Sequence, residues 1–252
     1  PLVRQPRILI VDFERLPGLR HVWDQKPSYM PATKWLRQPS SLCFAHKWLG
    51  EKRIGFHAVW DDGGWDAMVR AHWDLYDRAD VIVGYYSTGA DNRWARQDWD
   101  IAGLPDPRPW KDVDLYRLNK ARYAFESGSL DYLTQRLSIT RKNGHYDPHE
   151  AEAAYAGDRK AQAALKRYNK GDITAAEATF ERLRTKLGPR MPHAGLFNGS
   201  ERCCWNCGGE DFEPVGDVVA VTNTYPAYRC RGCGVLSRST HRRRAMRLRA
   251  VR

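Results

Sequence analysis

No apolar run in these 252 residues is long enough to span a bilayer, and no secretory h-region opens the sequence. Those absences exclude a helical membrane protein as a reading and lead us to expect a soluble, intracellular chain. Cysteine is nearly missing from the first 200 residues, where Cys43 stands alone in an apolar, strand-like stretch and reads as core filler. The other five cysteines lie between Cys203 and Cys233, which excludes a disulfide framework spanning the fold and points to a local metal site. Acidic residues are in short supply, 30 Asp and Glu against 41 Lys and Arg, for a formal charge of +11. A polyanionic partner follows, nucleic acid ahead of an anionic membrane surface. No internal repeat is present. Aromatics are abundant, with ten tryptophans and twelve tyrosines, most of them core and some available to stack on bases.

The first 58 residues read as strands: Arg7–Phe13, His21–Gln25, Ser41–Leu49 and Arg53–Ala58. Trp65–Arg78 has helical spacing, with Met68, Val69, Trp73 and Tyr76 as its apolar stripe. A short buried strand, Val81–Gly84, precedes a helix over Asp91–Ala102, then a strand over Trp110–Val113 and helices over Leu115–Phe125 and Ser129–Leu137. Ala151–Lys186 is helix-rich, and Gly171-Asp172 predicts a break or bend within it. The fold class expected is α/β (α+β), a mixed sheet flanked by helices with its first three strands antiparallel, the ribonuclease H-like arrangement. The expected domains are 1–190 for this sheet domain, 191–200 for a linker, 201–237 for a cysteine-bearing unit and 238–252 for a basic tail.

Asp12 and Glu14 close the β-branched run Ile8-Leu9-Ile10-Val11, with Phe13 between them. Residues two apart on a strand share a face, so both carboxylates point the same way and repel. A divalent cation such as Mg²⁺ or Mn²⁺ is the usual partner for such oxygens, although a strand whose last residues reach solvent would also carry them. Asp91 follows Val81–Gly84 across the loop Tyr85–Ala90 and opens a helix, where an N-cap or first-turn role, worth about 1 kcal/mol, is the plain alternative to a metal role. Asp172 follows Tyr168 by four residues, on one helical face.

The set Asp12-x-Glu14, then Asp91, then Tyr168-x-x-x-Asp172 resembles the DEDD superfamily of 3′–5′ exonucleases, in the version with tyrosine in its third motif. The stand-alone members often encoded by bacteriophages look closest, over Arg7 to Leu187. The resemblance implies hydrolysis of phosphodiester bonds with two Mg²⁺ or Mn²⁺ ions. Asp12 would bridge both; Glu14 and Asp172 would complete the site of the attacking water, with Tyr168 hydrogen-bonded to that water; Asp91 would support the second ion. It also implies single-stranded DNA 3′ ends as substrate, a DNA polymerase or replication complex as partner, and the cytoplasm of a bacterial or phage-infected cell. The second motif departs from the family, with Tyr85-Tyr86 where His-Asn is usual and Ala90-Asp91 where Phe-Asp is usual. A nucleic-acid-binding protein with a degenerate nuclease fold, or a structure-selective endonuclease, stays open for that reason. Asp114 is expected to cap the helix that follows it.

Cys204-x-x-Cys207 and Cys230-x-x-Cys233, 22 residues apart, form two knuckles with glycines at their turns. Four thiolates at this spacing favour one structural Zn²⁺. Cys203 competes with Cys204 for the first position. The unit resembles zinc ribbons, with Val218–Thr222 and Tyr225–Arg229 as its hairpin. Arg238, Arg242, Arg243, Arg244, Arg247, Arg249 and Arg252 follow with no acidic residue among them, which reads as a phosphate-binding tail. The pair His145 and His149 reads as surface groups, and Arg141-Lys142 fits a phosphate contact and a solvated face equally well.

Overall fold

A computed structural model of the chain describes residues 4–22, 31–139 and 146–247. Arg141, Lys142, His145, Arg249, Arg252 and the end of the expected strand His21–Gln25 lie outside the described residues. The chain divides into two compact units, one of Arg7–Glu181 and one of Pro1–Pro6 with Arg182–Arg252.

In the first unit the strands are β1 (Ile8–Leu16), β2 (Leu19–Arg20), β3 (Trp35–Arg37), β4 (Ser40–Trp48), β5 (Gly55–Ala58), β6 (Val81–Gly84) and β7 (Lys111–Asp114). The helices are α1 (Gly64–Asp77), α2 (Asp91–Ile101), α3 (Leu115–Arg122), α4 (Leu130–Arg136), α5 (Pro148–Tyr155) and α6 (Arg159–Leu183). Among the described residues β2 and β3 pair only with each other, and the main sheet has the order β5-β4-β1-β6-β7. β1 is antiparallel to β4 and β4 to β5, while β1, β6 and β7 run parallel. Three antiparallel strands extended by two parallel ones make the mixed, ribonuclease H-like sheet expected from the sequence. Among the described residues no helix is long and apolar enough to cross a membrane.

The alternation along β1 sorts the two faces of this sheet. Leu9, Val11 and Phe13 pack with Phe44, with Met68, Val69 and Tyr76 of α1 and with Ala95 and Trp99 of α2. Arg15 continues that face, its guanidinium 5.0 Å from the Trp94 ring. Leu16 lies on the other face, with Ala151 and Ala154 of α5 and Ala161 and Leu165 of α6. Asp12 and Glu14 share the parity of Leu16 and therefore point toward α6. β1 runs on to Leu16, so the two acids sit within the strand and not at its end as expected. The β1–β4 register shifts between Glu14, opposite Cys43, and Arg15, opposite Ser41, which leaves Leu42 as the extra residue of a bulge beside the acids.

Of the two helices or one bent helix expected around Gly171-Asp172, the break into two is overturned, because α6 runs through those residues without interruption. A helical glycine costs about 1 kcal/mol relative to alanine. Burying Ile173 and Phe180 on the same helix contributes roughly 1.5–3 kcal/mol each, so packing prevails. The chain breaks earlier, at Gly157 (φ +99°) and Asp158, whose Oδ1 accepts the Lys160 and Ala161 N–H groups at 2.8 and 3.2 Å.

At the centre of the first core, the Trp99 indole N–H donates to His72 Nδ1 at 2.8 Å. Burial holds this imidazole neutral, lowering its pKa to about 3 from the ordinary 6.5. Between those values the unfolded chain takes up a proton that the folded protein refuses, so stability is complete above about pH 6.5 and lost as pH falls. Denaturant melts between pH 7 and 4 should show His72 contributing a slope of about 1.4 kcal/mol per pH unit. His72→Gln should flatten the curve by that amount, and an unchanged slope would refute the assignment.

Candidate functional site

Strand β1 and helix α6 bring Asp12, Glu14 and Asp172 together, with one carboxylate oxygen from each within 4.8 Å of the others. Glu14 and Asp172 are buried and Asp12 is half-buried. Three hard oxygen donors at this separation form a group that could hold a metal ion. Tyr168, one turn before Asp172, stands against the trio. Burial first, then the charges of Asp172, Glu14 and Asp12, push its phenol well above the usual range, and its hydrogen bond to Asp172 adds to the shift. Tyr168 Oη thus keeps its proton as a donor.

Asp91 is placed differently. The ladder from β1 to β6 covers only Ile8 to Ile10. Beyond it, Asp91 Oδ1 accepts the Phe13 N–H at 3.0 Å. The carboxyl is buried at the start of α2 and lies outside the 4.8 Å group. Burial raises its pKa to about 7 against the lowering effect of the Phe13 bond. Ala90 holds the cap position of α2 and Asp91 stands in its first turn, so of the two plain roles considered for it the first-turn one is its geometry. Asp114 does cap its helix, accepting from Tyr116 and Arg117 N–H, and it also receives Tyr86 N–H, Thr88 N–H and Thr88 Oγ1–H. One carboxylate therefore starts α3 and pins the loop that leads to Asp91.

One participant lies inside the Tyr168–Asp172 motif, which assigns it no role. Asn169 Nδ2 donates to Asp12 Oδ2 at 2.7 Å and to the Asp12 carbonyl at 3.2 Å. The reverse amide orientation would set two oxygens against each other. An asparagine in the middle of a long helix is a poor helix former, and that mismatch is the signal that could have flagged it.

A cleft of about 570 Å³ opens at the trio, with Tyr85, Tyr86, Tyr116 and the Gly128–Leu130 turn forming its other walls. A larger cavity of about 890 Å³ in the second unit is lined by Trp205, Tyr228 and Arg238, and Glu201 is its only acidic residue.

That second unit contains α7 (Gly195–Asn198), within the segment expected as a linker, and strands β8 (Phe212–Val219), β9 (Asn223–Cys230), β10 (Leu236–Arg238) and β11 (Arg244–Ala245). β9 pairs with the other three. The hairpin turns at residues 220–222, so the expected strand Val218–Thr222 is corrected to one that begins at Phe212, and a register shift between Pro214 and Asp217 bends it around Gly216 (φ +96°). The sulfurs of Cys204, Cys207, Cys230 and Cys233 lie within 4.8 Å of one another. The pairs Cys204–Cys233 and Cys207–Cys230 stand 3.5 and 3.6 Å apart. A tetrahedron with metal–sulfur bonds of 2.3 Å has edges of about 3.8 Å, so the four thiols fit a tetrahedral ion. Burial raises Cys204; at Cys233 burial is the largest single influence and acts upward, but hydrogen bonds from Asn206, the Val235 backbone, Cys204 and Cys207 together outweigh it and lower the thiol. Cys203 lies outside the group, its sulfur directed at the Ser200 carbonyl 3.5 Å away.

The arginines of the expected tail are only partly free. Arg238 ends β10 and lies 4.0 Å over the Tyr225 ring, Arg243 pairs with Asp217 at 3.3 Å, and Arg244 belongs to β11. Arg242 and Arg247 are exposed.

No protein-family model and no curated protein sequence matches the chain. Among solved structures it is similar to the family B DNA polymerase from the hyperthermophilic archaeon Pyrobaculum calidifontis, at 17% sequence identity and a TM-score of 0.56. The match covers 90% of this chain and 33% of the polymerase, so the chain spans about a third of that protein's length. At this identity the likeness concerns the fold alone.

Two outcomes follow from the geometry. Asn169→Ala should weaken Mn²⁺ binding in a calorimetric titration by roughly ten-fold, because Asp12 loses its orienting donor; unchanged affinity would remove Asn169 from the site. Protein purified without chelator should carry one tetrahedral metal per chain, lost in Cys230→Ser, and elemental analysis showing no metal in the intact protein would contradict the four-thiol assignment.

Proposed function

We propose that the chain is a metal-dependent nuclease that removes nucleotides from the 3′ ends of nucleic acid, with DNA as the favoured substrate. The observation that carries this reading is the convergence of Asp12, Glu14 and Asp172 at an open cleft on a ribonuclease H-like sheet. Two Mg²⁺ or Mn²⁺ ions held there would activate a water and stabilise the leaving 3′ oxygen.

The chain's own residues prepare that chemistry. Asn169 fixes the direction of the Asp12 carboxylate, the one assigned to both ions. Glu14 is carried by strand β1 and Asp172 by helix α6, so regular elements hold both carboxylates in place beside Asp12. Tyr168 retains its proton and so can donate to, and thereby orient, an attacking water. Asp91 is assigned to the second ion. The cleft gives a strand end access to the acids from the side of Tyr86 and Tyr116.

In the second unit we assign Zn²⁺ to the four thiols, as a structural ion, because soft thiolates in a closed tetrahedral set select it. From Arg182 onward the sequence has fourteen Lys and Arg against five Asp and Glu. We assign phosphate contacts to Arg238, Arg242, Arg243, Arg244, Arg247 and Arg249, with binding that weakens as salt rises.

The position of Asp91 favours a second reading, a nucleic-acid-binding protein with a degenerate nuclease site. Its Oδ1 is already engaged by Phe13 N–H, and its carboxyl stands apart from the trio.

A labelled single-stranded oligonucleotide separates the two. The first reading predicts stepwise release of mononucleotides from the 3′ end, dependent on Mg²⁺ or Mn²⁺. Asp12→Ala and Asp172→Ala should lower that rate by at least about a thousand-fold while leaving oligonucleotide binding intact. Binding without metal-dependent cleavage by the intact protein would select the second reading, and internal cleavage products would instead indicate an endonuclease.

A further inference from the structure

Beyond the acidic trio, the loop between β6 and α2 holds an aromatic residue in a strained backbone conformation. Tyr86 has φ +65° and is one of two non-glycine residues with positive φ among those described. The left-handed region is costly for a bulky side chain, and such strain persists only where its surroundings impose it. Here they do so through several bonds. Asp114 takes the Tyr86 N–H at 3.0 Å, and the Tyr86 carbonyl accepts the N–H groups of Gly89 and Ala90, each at 3.0 Å. A side chain at position 89 would collide with the Tyr86 ring, since a Cβ there would stand 2.5 Å from Cζ.

All this places an apolar ring half in solvent. Tyr86 is 51% exposed, although its neighbour Tyr85 is turned inward and bonded to the Gly128 carbonyl at 2.5 Å. The Tyr86 ring is braced edge-to-face by Tyr116 at 5.0 Å, and both line the cleft that contains Asp12, Glu14 and Asp172. A rigid aromatic face held open beside a phosphate-handling site suits one ligand group above others, the flat face of a nucleobase.

We propose that Tyr86 is the stacking platform for the base of the terminal nucleotide, a substrate-positioning residue that reads the presence of a base and not its identity. The inference deepens the nuclease reading and rests on it for the orientation of the strand. Stacking uses a π-face that every base has, so the platform tolerates any sequence but requires a base whose face is uncovered, as at a strand end.

The test compares oligonucleotides that end in a normal 3′ nucleotide or in an abasic one. Binding is measured by fluorescence anisotropy with Ca²⁺, for the intact protein, Tyr86→Phe, Tyr86→Gly and Tyr86→Asn. The intact protein and Tyr86→Phe should bind the abasic strand about ten-fold more weakly than the normal one. The glycine and asparagine variants remove the ring and tolerate positive φ, so they should unfold at no lower temperature than the intact protein. They should bind both strands alike, about ten-fold more weakly than the intact protein binds the normal strand. Equal binding of the two strands by the intact protein, or discrimination that survives in either ring-less variant, overturns the platform. Discrimination by the intact protein without metal-dependent cleavage keeps the platform and ends the nuclease reading; cleavage without discrimination does the reverse.

Discussion

Three carboxylates held against their own repulsion set the terms for the first unit of this protein. At 4.8 Å, two full charges repel by roughly 3 kcal/mol with an effective dielectric constant of about 20, and the trio contains three such pairs. The fold meets part of that cost with the Asn169 amide on Asp12 and the Tyr168 phenol on Asp172. A divalent cation bound between the three carboxylates would oppose that repulsion directly.

The architecture around the trio follows from where those acids must stand. β1 lies at the centre of the sheet, fixed by β4 on one side and by β6 on the other, with Leu9, Val11 and Phe13 anchored in an aromatic core. The opposite parity then presents Asp12 and Glu14 to α6. β6 pairs with β1 only as far as Ile10, and that early divergence gives Asp91 access to the Phe13 N–H and makes room for the loop carrying Tyr86. Asp114 ties this loop to the start of α3, so strand end, loop and helix cap depend on a single carboxylate. In the second unit, whose sheet is small and whose β8 is mostly exposed, the four thiols take the organising place that a larger apolar core would otherwise have.

Much of this was readable from local pattern. The β-branched run before Asp12, the buried Val81–Gly84 and the apolar stripes of α1 and α2 are short-range signals, and the elements they imply are present within a few residues of the expected ends. The paired knuckles Cys204–Cys207 and Cys230–Cys233 are also local, since their spacing encodes the turn that aims both sulfurs inward. What escaped was non-local. Asn169 meets Asp12 across 157 residues, and nothing in its neighbourhood but an uneasy fit to a helix announces the contact. The sequence leaves the continuity of α6 through Gly171 open, because a local breaker there is outweighed by tertiary burial of Ile173 and Phe180. Cys203 and Cys204 both offer a knuckle with Cys207, across three and two intervening residues, and it is the fold that selects Cys204.

The central claim is that Asp12, Glu14 and Asp172 are mutually repelling ligands of a divalent ion, and thermal unfolding with and without Mn²⁺ tests it most directly. The account predicts that Mn²⁺ raises the unfolding temperature of the intact protein. It also predicts that Asp172→Asn, free of Mn²⁺, unfolds at a higher temperature than the intact protein under the same conditions and gains little when Mn²⁺ is added. An Asp172→Asn protein that is less stable without the ion, together with an equal response of both proteins to Mn²⁺, would contradict it.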